Sequence, residues 1–164
     1  MPKPVMNLDD IEFTEFGKGE KFLAERAAVS NKIGGKRLGY AVVRLKPGKR
    51  AWPYHSHCVI EEAFYVLEGE GTLRHADEEH SIRAGDFICS PADPEQPHQI
   101  INTSGQALRY IAISTLDHTD VMHYPDSGKY GVWHGNTENV SDPGNFIVFA
   151  RKDTAVEYWD GETE

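Results

Sequence analysis

Residues 55–69 read HSHCVIEEAFYVLEG. His55 and His57 are separated by one residue, and in a strand positions i and i+2 project to the same face. Both imidazoles can therefore enter one cavity. Two carboxylates follow, Glu61 and Glu62, and then Ala63–Leu67, whose Phe, Tyr and Val suit a strand. If Glu62 faces the imidazoles, Phe64 and Val66 line the same side. A second strand entering that cavity would bring a third imidazole, and His98, in the run PHQIIN, is the best candidate. Imidazole nitrogens with one carboxylate oxygen make a first-row transition-metal site.

Outward from this stretch the chain alternates short apolar runs with turn residues. Leu38–Leu45 (LGYAVVRL) reads as a strand ended by Pro47-Gly48. Glu68–Gly71 is a tight turn, Thr72–His75 and His80–Arg83 are short strands about a polar tip, and Phe87–Ser90 is a strand stopped by Pro91. A proline-rich loop, Asp93–Pro97, leads to strands at His98–Asn102 and Ala107–Leu116. Many short strands between Gly, Pro and Asp turns, with few helical patterns, predict an all-β sandwich or barrel. The ends read differently. Residues 1–36 are expected to form an N-terminal arm, in which Lys21–Val29 is open between a short helix and an edge strand. Residues 117–164 are rich in His, Asp, Gly, Tyr and Asn. They are expected to form an irregular C-terminal extension wrapping the barrel, with a last strand-like run at Phe146–Ala150.

At 164 residues a single domain, 1–164, is the expectation. Asp and Glu number 26 against 17 Lys and Arg, a net charge of −9. That balance argues against nucleic acid and against anionic membrane surfaces as partners. A small anionic substrate stays compatible, because a few local Arg or Lys residues suffice. Cys58 and Cys89 are far apart and form no CxxC pair, which fits a reduced, cytoplasmic chain. Both read as small buried hydrophobes. The start, MPKPVMNLDDIEF, lacks the apolar core of a signal peptide. No apolar run approaches the ~18 residues of a membrane span.

Two spaced motifs stand out: Gly48, His55, His57, Glu62 and Gly69, then Gly85, Pro91, His98 and Asn102. With them the chain resembles the cupin superfamily over roughly Gly39 to Leu116. It departs from the pattern by one extra residue before His55, by Asp93 where a glycine is usual, and by a loop to His98 two residues longer. The resemblance implies a cupin double-stranded β-helix, a jelly-roll-like antiparallel barrel, with its core at about 37–116. It implies metal ligands His55, His57, Glu62 and His98. Period two turns Glu61 to the opposite face and favours Glu62. The cofactor implied is one divalent transition metal, Zn, Fe, Mn or Ni, which this donor set does not separate.

Within the superfamily the chain looks most like small bacterial single-domain cupins resembling sugar phosphate isomerases. The implied activity is isomerisation of a sugar or sugar phosphate, with the metal polarising substrate oxygens. An Fe(II)-type dioxygenase and a non-catalytic small-molecule-binding cupin are the alternatives. The catalytic base stays unassigned, with Glu95, His118 and His123 as candidates. His134 joins the last two as a histidine able to reach the mouth of the site. Arg44 or Arg109 would bind an anion if it faced inward. Phe64, Tyr65, Phe87 and Tyr110 are expected to fill the core. Exposed sheet edges and the apolar residues of the N-terminal arm suggest a homodimer.

Overall fold

The computed structural model describes residues 2–137 and 142–163. The strands are β1 (Thr14–Lys18), β2 (Phe22–Ala28), β3 (Leu38–Leu45), β4 (Ser56–His57), β5 (Glu62–Glu68), β6 (Glu70–His75) and β7 (Glu78–Arg83). They continue with β8 (Phe87–Ser90), β9 (His98–Ile101), β10 (Leu108–Thr115), β11 (Thr119–Tyr124), β12 (Lys129–His134) and β13 (Phe146–Arg151). Three antiparallel sheets result, in the orders β1-β2-β3-β10-β5-β8, β13-β12-β11-β4 and β7-β6-β9. The architecture is the all-β one of a double-stranded β-helix. Among the described residues no helix is long and apolar enough to cross a membrane.

Period-two alternation decides what lies inside. On the six-stranded sheet Val43, Tyr110 and Val66 stand side by side across three strands, and each is at most 1% exposed. Leu45 and Leu108 extend this face, and Leu73, Ile82, Ile88 and Ile100 join them in one core. Two motif residues have structural work here. Gly69 turns the chain between β5 and β6 at φ 81°, and a Cβ there would meet the Ala107 carbonyl oxygen at 2.3 Å. Asn102 is fully buried; its Nδ2 donates to the Leu45 and Gln106 carbonyls at 2.9 and 2.7 Å, and its Oδ1 accepts from Ser104 N–H.

Several expectations are corrected. The N-terminal arm contributes two strands to the sheet: β2 pairs with β3 and β1 with β2, so Lys21–Val29 holds an interior strand rather than a helix or an edge. Its small residues Ala24 and Ala27 are buried, and with alanines at the covered positions the run gives a weak periodic signal. The C-terminal extension is equally regular, because β11 pairs with β4 and carries β12 and β13 outward. The ladder satisfies the backbone groups of segments whose composition reads as loop. Cys58 and Cys89 are exposed rather than buried; Cys89 lies opposite Ala63, on the face away from the core. Phe87 is 85% exposed and packs on Tyr65 across the outer face, ring centroids 4.5 Å apart. Arg44 and Arg109 also face outward, pairing with Glu25 at 3.3 Å and Glu68 at 3.2 Å.

Candidate metal centre

The two motif stretches meet directly. His55 N–H donates to the His98 carbonyl at 3.2 Å and His98 N–H to the His55 carbonyl at 2.8 Å. This bridge sets the two rings 4.7 Å apart, and β4 brings the His57 ring within 4.8 Å of that of His55. Glu62 opens β5 on the core face, in line with Phe64 and Val66 as alternation requires. Its Oε2 lies 2.9 Å from His98 Nε2 and 3.5 Å from His57 Nε2. All four residues line one cavity of about 240 Å³, with Trp52, Tyr110, Met122 and Tyr124 among its walls.

Each imidazole is held by its other nitrogen. His55 Nδ1–H donates to the Pro53 carbonyl at 2.8 Å. His57 Nδ1–H donates to Asp120 Oδ2 at 2.5 Å. His98 Nδ1 is hydrogen-bonded to the Ser90 hydroxyl at 2.6 Å. An acceptor at Nδ1, as for His55 and His57, selects the tautomer whose Nε2 lone pair is free, and outer partners of this kind orient metal-binding histidines. Asp120 is 0% exposed, and its Oδ1 accepts the Val59 N–H at 3.0 Å. It enters from β11, 63 residues away from His57, and no local pattern in the sequence marks it.

The electrostatics follow from this packing. Burial, and then the neighbouring His98 and His57, lower the His55 pKa to about 3, so the ring is neutral near pH 7. Burial alone would lower His57 too, but hydrogen bonds to Asp120 and Glu62 outweigh it and raise its pKa to about 9. For Glu62, burial opposes ionisation, yet hydrogen bonds with His57 and His98 hold its carboxyl well below the usual carboxylate range.

The residues fit a cation. Ligand atoms of His55, Glu62 and His98 lie within 4.8 Å of one another, and His57 reaches the same carboxylate oxygen. The Nε2 atoms of His57 and His98 are buried without a hydrogen bond of normal geometry. Buried polar atoms are ordinarily satisfied, and two buried imidazole nitrogens that share one carboxylate oxygen as their near neighbour suit a positive ion between them.

The other sequence candidates lie elsewhere. Glu95, His118, His123 and His134 do not line this cavity. His118 Nδ1–H donates to the Gly135 carbonyl, His123 stacks on Tyr130, and His134 is hydrogen-bonded to Thr119. Two residues outside the sequence candidates take their place: Tyr124, stacked on His55 at 5.7 Å, and Met122.

A family model described as a cupin domain matches residues 41–114. An oxalate-binding protein of Thermotoga maritima is 34% identical over 103 residues, covering 61% of this chain and 79% of that protein. An uncharacterized protein of Methanocaldococcus jannaschii is 35% identical over 60 residues, 37% of this chain and less than half, 46%, of its own length. Among solved structures, a protein of Acidithiobacillus ferrooxidans provisionally named a sugar phosphate isomerase is 29% identical, with a TM-score of 0.63 over 76% of each chain. A cupin-superfamily sugar phosphate isomerase of Silicibacter pomeroyi, 23% identical, shares the fold over 96% of this chain and 98% of its own, with a TM-score of 0.77.

Proposed function

The chain belongs to the cupin family, and from that premise we propose a metal-dependent enzyme of the sugar phosphate isomerase kind. One divalent transition metal, Zn, Fe, Mn or Ni, is held by His55, His57, Glu62 and His98. The observation that carries this reading is that ligand atoms of His55, Glu62 and His98 lie within 4.8 Å of one another while His57 Nε2 stands 3.5 Å from the same Glu62 carboxylate. Bound there, the ion supplies Lewis acidity to substrate oxygens.

The chain's own groups divide the remaining work. The imidazoles present Nε2 atoms; the Pro53 carbonyl and Asp120, which can only accept, fix the tautomers of His55 and His57, and Ser90 orients His98. Phe64, Tyr110 and Met122 wall the site against water. Burial, and then the charge of Glu62, push the Tyr110 hydroxyl well above its ordinary pKa. It therefore stays protonated and serves as a hydrogen-bond donor to a substrate oxygen. Moving a proton between neighbouring carbons requires a base in reach. Among the described residues Glu62 is the one carboxylate lining the cavity. Both close imidazole contacts engage its Oε2, and its lowered pKa suits it to ligation rather than to proton abstraction.

The test is metal analysis of protein purified without chelator or nickel resin, followed by assay of the metal-loaded protein with phosphorylated pentoses and hexoses. Bound metal with no turnover of any of them removes the isomerase reading. Likeness to an oxalate-binding protein supports a second reading, a non-catalytic site for a small diacid. Oxalate binding tighter than that of any sugar phosphate would favour it.

A homodimer belongs to the same proposal. β13 is an edge strand whose Phe146, Ile147 and Phe149 are each at least half exposed, and such an edge pairs readily with a second copy of itself. A monomer by light scattering at micromolar concentration would contradict this. The two free, exposed cysteines agree with a cytoplasmic location.

A further inference from the structure

At Trp52 and Glu62 the metal cavity meets a larger one of about 600 Å³. Its floor is the core-facing side of the six-stranded sheet. One row of residues across the strands there is Ala28, Ala41, Ala112 and Phe64, and the next is Gly39, Ser114 and Glu62. Small side chains at Ala28, Gly39, Ala41, Ala112 and Ser114 leave room for the cavity over this part of the sheet, whereas the row of Val43, Tyr110 and Val66 is fully buried.

Arg26 stands opposite Val43, on the same face of the sheet as Glu62, and lines this larger cavity. It is exposed to solvent, yet enough protein surrounds it for desolvation to lower its pKa. Among the described residues it has neither an ion pair nor a side-chain hydrogen bond. Arg44 and Arg109, on the opposite face of the same sheet, each have a carboxylate partner. In a chain of net charge −9, an uncompensated guanidinium in a cavity is a local attractor for anions.

We propose that Arg26 receives the phosphoryl group of a substrate whose sugar oxygens lie at Glu62 and the three imidazoles. This rests on the sugar phosphate reading and names its recognition residue. From β2 to β5 is three interstrand steps, roughly 14 Å, and the two rows lie four residues apart along the strands, roughly 13 Å. Both side chains reach inward over a curved sheet and shorten that diagonal. A phosphorylated five- or six-carbon chain spans more of that separation than oxalate does. The planar guanidinium matches two phosphoryl oxygens at once.

The test compares ribose 5-phosphate, ribose and inorganic phosphate by calorimetry on the metal-loaded protein and on Arg26→Gln and Arg26→Lys. Ribose 5-phosphate is expected to bind R26Q about tenfold or more weakly, with R26K between R26Q and the parent. Ribose affinity and metal content are expected to be unchanged. Equal affinity of R26Q and the parent for ribose 5-phosphate overturns the proposal. A second measurement needs no variant: phenylglyoxal modification of the parent protein, mapped by mass spectrometry. Ribose 5-phosphate and inorganic phosphate are expected to protect Arg26, and failure of both at millimolar concentration overturns the assignment. Protection without turnover would leave Arg26 standing and remove the isomerase reading; turnover without protection would do the reverse.

Discussion

Replacing Asp120 with asparagine changes one buried oxygen to an amide and reaches the proposed metal site only through His57. In the parent protein Asp120 Oδ2 takes the Nδ1 proton at 2.5 Å, and Oδ1 takes the Val59 N–H at 3.0 Å. In D120N the amide oxygen keeps the Val59 bond while the NH₂ group faces His57. Nδ1 must then accept, which places the ring proton on Nε2, the atom proposed to ligate. Loss of a partner of this kind weakens metal binding by about 10–100-fold, or about 1.4–2.7 kcal/mol. Exchanging a charged hydrogen bond for a neutral one also costs about 1 kcal/mol or more of stability. The assay is competition for zinc or cobalt between protein and a chelator of known affinity, with circular dichroism to verify that D120N is folded. A folded D120N with parental metal affinity would refute the reasoning, because His57 would then not be a ligand.

Three further outcomes are expected. The metal-free protein should be most stable near pH 6.5. As pH falls from about 6.5 toward 3, the unfolded chain takes up a proton that buried His55 refuses, and stability declines. As pH rises from 6.5 through about 9, His57 loses the proton that Asp120 stabilises, and stability declines again. Denaturant titrations across this range should show the alkaline decline in the parent and a smaller one in D120N, where Glu62 alone is left to hold the His57 proton. Gly69→Ala should destabilise by more than about 1 kcal/mol, because φ is 81° and the new Cβ would press on the Ala107 carbonyl; an unchanged melting curve would contradict that. Asp126→Ala breaks a pair with Arg74 at 2.9 Å in which Asp126 is 55% exposed, and should shift stability by no more than about 1 kcal/mol. A larger loss by chemical denaturation would mean that Arg74, which also covers the Tyr54 ring at 4.0 Å, depends on that pair for its position.

The all-β class and the grouping of His55, His57 and Glu62 were legible because both depend on short-range periodicity, whereas His98, 36 residues beyond Glu62, was legible as a ligand only through the resemblance to a known family. One intervening residue puts two imidazoles on a common face, and the step from Glu61 to Glu62 reverses the face. The same periodicity places Phe64 and Val66 inward and leaves Tyr65 and Phe87 outside, so the expectation of a core role for the last two departed from the alternation itself. Regular structure at both ends was harder to read. β2 is rich in alanine and charge, and β11 and β12 carry His, Asp and Lys among their apolar residues. Their strand character comes from partners distant in sequence rather than from propensity.

By itself, then, the amino-acid sequence determined which side chains can share a face: two imidazoles, the carboxylate after them, and the apolar stripe that follows. Only the tertiary structure decided what stands behind and beside them. The pairing of β11 with β4 delivers Asp120 to His57, and the pairing of β2 with β3 turns Arg26 into the cavity beyond Glu62. Side-chain direction along a strand is a property of successive residues. The neighbour a strand acquires is chosen among many distant segments by the burial and hydrogen bonding of the whole sheet.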